Sequence, residues 1–256
     1  MDRIVLVVPC YNEQDRLDVR EFQAARLDHG RLEFVFVDDG SRDATRDVIE
    51  RIRAGRPGEV RVVAYSTNRG KAEAVRLGTL EALRTGPDAV GYWDADLATP
   101  LSELSGFVKI LEGKPGVDVV MGARVQLMGR SISRRAWRHY VGRVFATAAS
   151  LTIGLPVYDT QCGAKLFRVT ERLPKVFERP FVSRWIFDVE ILARFIALNA
   201  NGASGVFDAI VEYPLDRWVD VRGSKLKTVD FFRAACELGL IRRTYCSSLG
   251  HRPSRA

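Results

Sequence analysis

Five short apolar segments constrain the fold of this chain more than any other feature. They cover residues 4–8, 34–37, 60–65, 89–93 and 117–121, and segments long enough for a helix separate them. Apolar runs of this length are typical of strands that are buried on both faces. Their alternation with helical segments predicts an α/β fold with a mostly parallel sheet flanked by helices.

Every one of these predicted strands ends in polar residues. The polar clusters are Tyr11 to Glu13, Asp38 with Asp39, Asn68 to Lys71, Asp94 with Asp96, and Arg124. Each cluster alone is typical of an ordinary turn. Because ligands of parallel sheets bind outside the carboxyl ends of the strands, five clusters at that edge favour a nucleotide-type site. The glycine motifs of dinucleotide-binding domains and of phosphate-binding loops are both absent from the sequence.

Asp94 and Asp96 give the sharpest indication of chemistry. Residues i and i+2 of an extended segment point the same way, so both carboxylates can face one ligand. Carboxylate oxygens suit Mg²⁺ or Mn²⁺ that holds a diphosphate. The alternative interpretation is a strand-end turn in which the aspartates serve hydrogen bonding only.

Capping residues and periodicity predict the remaining elements. Thr99 as N-cap and Pro100 at the first helical position predict a helix after Asp96, and Ser41 is expected to cap the helix that follows the second strand. Other helices are expected from the first strand to about residue 27 and over 130–150, 187–198 and 228–246, with a strand at 206–213 and a basic loop at 217–225. The predicted organisation is one domain, 1–226, followed by a C-terminal amphipathic basic helix and tail, 227–256.

Composition is typical of a soluble globular protein, with 46% hydrophobic and 28% charged residues among 256. No apolar stretch approaches the roughly 18 residues of a membrane span, and Met1 leads into a strand rather than a secretory signal. The four cysteines lack metal-ligand spacing and indicate reduced thiols. The expected location is the cytoplasm, peripheral at the inner face of the membrane.

The net charge of +7 is unevenly distributed. Residues 119–158 contain six arginines and no acid, and residues 217–256 contain nine Lys or Arg against three acids. These segments indicate an anionic partner (nucleic acid, phospholipid or a phosphorylated substrate), with a solvated basic surface as the alternative. Arginines mixed with Trp and Tyr over 130–150 are typical either of a helix in a membrane interface or of a helix packed on the sheet with extended arginines.

The strand-end motifs, taken in order, resemble those of the family-2 glycosyltransferases of GT-A fold. They are VPCYNE at 8–13, DDGS at 38–41, NRGK at 68–71 and DAD at 94–96. In the second half, DTQCG at 159–163, KLF at 165–167, RW-x-FD-x-E at 184–190 and GSK at 223–225 look like the dolichyl-phosphate glucosyltransferase and polyprenyl-phosphate glycosyltransferase branch. The resemblance extends over nearly the whole chain to about residue 226.

The resemblance implies roles for the matched residues. A nucleotide sugar is expected to contact Pro9, Tyr11, Glu13, Asp39, Gly70, Lys71, Asp94, Ala95, Gln161 and Trp185, with residues 159–163 lining the sugar pocket. The metal, Mg²⁺ or Mn²⁺, is expected at Asp96 and Asp94. The acceptor phosphate is expected at Arg124, Arg135 and Arg138. The implied catalytic residues are Asp94, Asp96, Arg124, Asp159 and Lys225, the last closing over the diphosphate from a loop.

The activity implied is inverting transfer of a hexose, with glucose as the first expectation, from a UDP-sugar to a polyprenyl or dolichyl monophosphate. Ala98 and Val219 stand where related mannosyltransferases carry Gln and Arg, which favours the glucosyltransferase-like branch but leaves a GDP-sugar open. An alternative in the same fold is transfer to a saccharide or other hydroxyl acceptor, for which Asp159 or Asp188 becomes the candidate base. A basic nucleic-acid-binding protein is the distant alternative, because no helix-turn-helix or aromatic RNA-binding motif is present.

Overall fold

The structure is a computed structural model that describes residues 1–133, 136–199, 202–219 and 228–246, without the side chains of 133–140, 203–204 and 228–231. The described residues form nine strands and nine α-helices. The strands are β1 (Arg3–Cys10), β2 (Arg31–Asp39), β3 (Val60–Tyr65), β4 (Ala89–Trp93), β5 (Val119–Ala123), β6 (Ser131–Ser133), β7 (Ala164–Arg168), β8 (Ile210–Pro214) and β9 (Arg217–Val219). The helices are α1 (Val19–Ala24), α2 (Thr45–Ala54), α3 (Lys71–Leu83), α4 (Leu104–Gly113), α5 (Ala136–Ile153), α6 (Arg172–Glu178), α7 (Phe187–Ala197), α8 (Gly202–Val206) and α9 (Thr228–Tyr245).

Seven of the strands form one sheet in the order β3-β2-β1-β4-β7-β5-β8. All neighbours are parallel except β7, which lies antiparallel between β4 and β5. The predicted α/β class with a mostly parallel sheet is therefore confirmed. Because β7 runs the other way, the loop before it reaches the same edge as the carboxyl ends of β1 to β5, and Ala164 pairs with Trp93 there.

The core lies on both faces of this sheet, because successive side chains of a strand point to opposite faces. Val5 and Val7 of β1 belong to a cluster that also contains residues of α3, α6 and α7. Ile4 and Leu6 belong to the opposite cluster, which contains residues of α1, α2 and α4. All four side chains are fully buried, which is why the sequence of β1 is continuously apolar.

Helix α9 packs into the first of these clusters. Its side chains Ala234, Leu238 and Ile241 are buried there, together with Cys246. The helix also contacts α5 and α7. None of the described helices combines the length and the hydropathy that crossing a bilayer requires.

Two predicted helix caps are wrong. The Thr99 hydroxyl contacts Cys162 Sγ at 3.8 Å, and the Thr99 carbonyl accepts the buried Trp93 indole at 2.7 Å, so Thr99 does not cap a helix. Pro100 has ψ 146° and precedes a 3₁₀ turn, Leu101–Glu103, so α4 begins only after that turn. Ser41 is also not a cap, since its hydroxyl accepts from the Asn12 amide and α2 begins at Thr45.

Several boundaries in the less periodic parts differ from expectation. The helix expected over 130–150 begins only at Ala136, because residues 131–133 form β6. This strand pairs in parallel with β9, which lies in the segment 217–225 that is expected to be a loop. The strand expected over 206–213 starts later, at β8. The first helix is only six residues long and is capped by the carboxylate of Asp18. Strands of three residues leave no detectable period, and their pairing depends on distant contacts.

Candidate active site

The turn before α3 is held by the carboxylate of Asp39. One Asp39 oxygen accepts the amide of Arg69 at 2.8 Å, and the other accepts the amide of Gly70 at 2.7 Å. Gly70 has φ 97°, a conformation that residues with a side chain rarely adopt. Asp39 is only 2% exposed, so this carboxylate orders the turn that delivers Lys71 to the edge of the sheet.

The end of β1 is tied to the end of β2 in a similar way. The amide of Asn12 donates to the Ser41 hydroxyl at 3.1 Å, and the Asn12 side-chain oxygen accepts the amide of Arg42 at 2.9 Å. Asn12 has φ 55°, which turns the chain sharply after Tyr11. Tyr11 is left 41% exposed at this edge, where an aromatic ring can stack on a ligand.

Glu13 follows this turn and points into the protein. One of its oxygens lies 2.5 Å from the guanidinium of Arg16, whereas Oε2 is buried without a partner among the described residues. Burial raises the pKa of Glu13 to about 7 against the opposing effect of Arg16, and the charges of Asp96 and Asp94 add to the increase.

Asp94 and Asp96 lie directly after β4, as the sequence predicts. Lys71 Nζ lies 2.5 Å from Asp94 Oδ1. Asp96 accepts the amide of Ala98 at 3.1 Å. Burial, together with the charge of Asp94, raises the pKa of Asp96. Burial opposes the charge of Lys71, but Asp94, Asp188 and Asp96 outweigh it and raise the pKa of this ammonium group.

The loop before β7 closes against Asp94. The carbonyl of Gly163 accepts the Asp94 amide at 2.9 Å. A Cβ atom at residue 163 would lie 1.9 Å from Asp94 Oδ2, so only glycine leaves room for this carboxylate. The glycine of the DTQCG motif is therefore needed so that the loop can pack against Asp94, one of the paired aspartates.

The donor set of this site fits a divalent cation. Two carboxylates lie at one strand end, close enough that burial and the charge of Asp94 together raise the pKa of Asp96. Among the described residues no group of three or more His, Cys, Asp or Glu could enclose a metal ion. A cation here would complete its coordination with water and with diphosphate oxygens, as Mg²⁺ commonly does.

Arg124 and Asp159 form a buried pair beside these aspartates. Nε and Nη2 of Arg124 lie 2.6 and 2.7 Å from the two Asp159 oxygens, and the Arg124 amide also donates to Asp159. Burial opposes the charge of Arg124, but Asp159 more than compensates and raises the guanidinium pKa. The guanidinium lies 5.3 Å from the centre of the Trp218 ring. Glu212 of β8 accepts the amides of Tyr158 and Asp159 and so fixes the start of this loop.

The buried side chain of Lys165 binds the rest of the loop before β7. Its ammonium group is fully buried and donates to the carbonyls of Thr160 and Cys162 at 2.9 and 2.8 Å. It also lies 2.5 Å from Asp188 Oδ1 at the start of α7, an oxygen that accepts the Tyr92 hydroxyl as well. Lys165 thus connects the loop, β4 and α7.

Residues 184–186 form the opposite side of the site. The Arg184 guanidinium donates to the carbonyl of Arg69 at 3.2 Å. Its Nη2 would lie 3.5 Å from a Cβ atom at Gly70, so it lies directly over the turn before Lys71. Trp185 is 40% exposed beside it.

A family model for "Glycosyl transferase family 2" matches residues 5–172 of the chain. The chain belongs to glycosyltransferase family 2. Curated relatives place it in the branch of the dolichyl-phosphate β-glucosyltransferases: the Drosophila melanogaster enzyme is 33% identical over 86% of this chain and 68% of its own length, and the human enzyme is 30% identical over 88% and 69%. The yeast enzyme is 30% identical over 94% of this chain and 74% of its own length.

Solved structures place this glycosyltransferase in the GT-A fold. A mannosyltransferase from Pyrobaculum calidifontis, in complex with GDP-Man and Mn²⁺, has a TM-score of 0.63 at 22% identity, over 98% of this chain and 66% of that one. Glucosyl-3-phosphoglycerate synthase from Mycobacterium tuberculosis, in complex with Mn²⁺, UDP and glucosyl-3-phosphoglycerate, has a TM-score of 0.60 at 21% identity, over 99% and 82%.

The glycosyltransferase brings most of the predicted site residues to one edge of its sheet. Lys71, Asp94, Asp96, Arg124 and Asp159 lie there, and the backbone amide of Gln161 donates to Asp159. Pro9 and Ala95 contribute backbone at the ends of β1 and β4, and Ala95 is buried. Lys225 and Arg135 lie outside the described residues, as does the side chain of Arg138. The assigned roles of all these residues stay predictions.

Sequence reasoning missed the residues that hold this glycosyltransferase's loops. The sequence motifs include Lys165 but neither Glu212 nor Glu237 of α9. The Glu237 carboxylate accepts the backbone amides of residues 184–186. Each carried a signal, because Lys165 and Glu212 are charges inside apolar strands and Glu237 is an acid in a basic helix. A buried charge requires partners, which makes such positions candidates for structural clamps.

Proposed function

We propose that this glycosyltransferase transfers glucose from UDP-glucose to the phosphate of a polyprenyl monophosphate of the dolichyl type, with inversion. The paired carboxylates after β4 carry the proposal, because Lys71 and Gly163 hold Asp94 beside Asp96 in an arrangement suited to a nucleoside diphosphate and a divalent cation. The names of the curated relatives support both glucose and dolichyl phosphate as the transferred sugar and the acceptor.

The surroundings of the two candidate bases favour a phosphate acceptor over a hydroxyl. Both oxygens of Asp159 accept from Arg124, and Asp188 is 5% exposed and bound to Lys165 and Tyr92. Each carboxylate is therefore already engaged by a cationic partner, which makes it a poor candidate to take a proton from an incoming hydroxyl. A phosphate monoester needs no such base, because its second pKa of about 6 leaves it anionic near neutral pH.

In the proposed step an oxygen of the acceptor phosphate forms a bond to the anomeric carbon of glucose. The bond from that carbon to the β-phosphate oxygen breaks, and its electron pair leaves with UDP. A divalent cation at Asp94 and Asp96, Mg²⁺ or Mn²⁺, supplies charge neutralisation for the diphosphate when bound. Lys71 keeps Asp94 oriented and adds fixed positive charge where the leaving group becomes more negative.

The proposal places the protein in the cytoplasm, peripheral at the inner face of the membrane that holds the lipid acceptor. Val144, Thr147 and Leu151 form an exposed stripe on α5, opposite its buried face. On the adjacent α9, Phe232 is 73% and Leu240 42% exposed, near the exposed arginines 233, 242 and 243. Apolar side chains mixed with arginines suit the headgroup region of an anionic membrane.

Release of UDP tests this proposal. The chain is supplied in turn with UDP-glucose, other UDP-sugars and GDP-mannose, with Mn²⁺ or Mg²⁺, and with or without a short polyprenyl phosphate. We expect release from UDP-glucose only with the lipid phosphate, and a loss of about 100-fold or more in Asp96→Ala. Asp47→Ala, a change of an exposed aspartate on α2, is the matched control. Release that depends instead on a hydroxyl acceptor, or on no acceptor, contradicts the proposal.

A further inference from the structure

One carboxylate connects helix α9 to residues 184–186 of the candidate active site. The two oxygens of Glu237 accept three consecutive backbone amides, those of Arg184, Trp185 and Ile186, at 3.3, 3.0 and 3.1 Å. Hydrogen bonds to an ionised acceptor are stronger than neutral ones. Three of them on adjacent amides fix the path of this loop relative to the helix.

The same loop reaches the turn before Lys71. The Arg184 guanidinium donates to the Arg69 carbonyl, and the amides of Arg69 and Gly70 donate to Asp39. Lys71, the next residue, lies 2.5 Å from Asp94. A continuous series of contacts therefore runs from Glu237 to the paired aspartates.

Helix α9 has other anchors, so Glu237 is not needed to hold the helix in place. Leu238 and Ile241 are buried in the core. At the end of the helix the Tyr245 hydroxyl donates to Glu190 at 3.0 Å and accepts from Arg194 at 3.2 Å. The bonds that Glu237 makes can thus be removed while the fold is kept.

We infer that Glu237 is a positioning residue for the nucleotide-sugar site, which makes α9 part of the catalytic unit. It fixes the loop so that the exposed ring of Trp185 borders the donor and Arg184 holds the turn before Lys71. This inference rests on the proposed function for the identity of the donor, and it concerns binding of the donor more than the chemical step.

Binding of UDP with Mn²⁺, measured by calorimetry, tests the inference together with kinetics. In Glu237→Ala we expect the Kd for UDP and the KM for UDP-glucose to rise about tenfold or more, with a smaller change in kcat. Glu237→Gln keeps one acceptor oxygen, so its Kd for UDP and its KM for UDP-glucose should lie between those of the wild type and of Glu237→Ala. Cys236→Ser, at the exposed neighbouring position, is the control and should match the wild type.

Amide hydrogen exchange gives a readout that needs no donor. The amides of 184–186 should exchange faster in Glu237→Ala, and those of 69 and 70 should follow through the contact of Arg184. Unchanged exchange and unchanged UDP affinity in a folded Glu237→Ala overturn the inference. If the wild type binds UDP without transferring glucose, the proposed function fails, whereas the inference is still decided by affinity and exchange.

Discussion

At the scale of single residues, Glu13 stands out because its surroundings oppose its ionisation. Its carboxyl group is buried, one oxygen has no partner among the described residues, and two aspartates lie across the site. The nearby guanidinium of Arg16 acts in the opposite direction. The folded protein therefore binds a proton at this residue more tightly than the unfolded chain does, with a pKa raised from 4.5 to about 7.

This difference predicts a pH-dependent effect of Glu13→Gln on stability. Between pH 4.5 and 7 the unfolded chain releases the proton and the folded protein retains it, so the wild type loses stability as the pH rises through this window. At pH 8, without nucleotide or metal, Glu13→Gln should be more stable than the wild type, by about 3 kcal/mol at most. Near pH 4 the two should be equal. Urea unfolding at both values measures this, and an equal difference at both pH values contradicts it.

At the scale of elements, the strands were predicted well where burial alone determines the sequence. The bounds of β3 and β4 match the apolar runs, and β1 is fully buried along its centre. Helix starts were predicted poorly around Thr99 and Ser41, because the hydroxyls of these residues contact Cys162 and Asn12, which are distant in sequence. Local capping patterns cannot register such competition for the same hydrogen-bonding groups.

The Lys165 contacts give a prediction at this scale. Lys165→Met leaves two loop carbonyls without their donor and Asp188 without its cation, so we expect a loss of about 3–5 kcal/mol in the free energy of unfolding. Lys165→Met combined with Asp188→Asn should cost less than the two changes added, because the uncompensated charge is also removed. Urea unfolding measures all three variants. Lys175→Met, an exposed change on α6, is the control, and a loss of similar size there contradicts the assignment.

At the scale of the whole molecule, the sequence predicted which residues share an edge of the sheet but not how they pair. Parallel topology brings strand ends together, so Asp94 and Arg124 could be placed from the alternation of elements alone. The bond between Arg124 and Asp159 and the role of Glu237 could not, because they depend on the antiparallel insertion of β7 and on where α9 packs. No local pattern encodes either arrangement.

The exposed faces of α5 and α9 lead to the prediction that belongs to the whole molecule. Binding to anionic liposomes should be strong at low salt and weaker at high salt, because the arginines act through an electrostatic attraction that salt screens. The apolar side chains should preserve part of the binding at high salt.

Phe232→Ser should weaken binding about tenfold at both salt concentrations, since it removes apolar area from the membrane contact. Phe207→Ser is the matched control, because Phe207 is similarly aromatic and 45% exposed but lies at the amino end of β8, at the sheet edge opposite the site. Co-sedimentation measures all three proteins. Equal losses in the two variants, or no binding by the wild type at low salt, would contradict the assignment of these helices as the membrane surface.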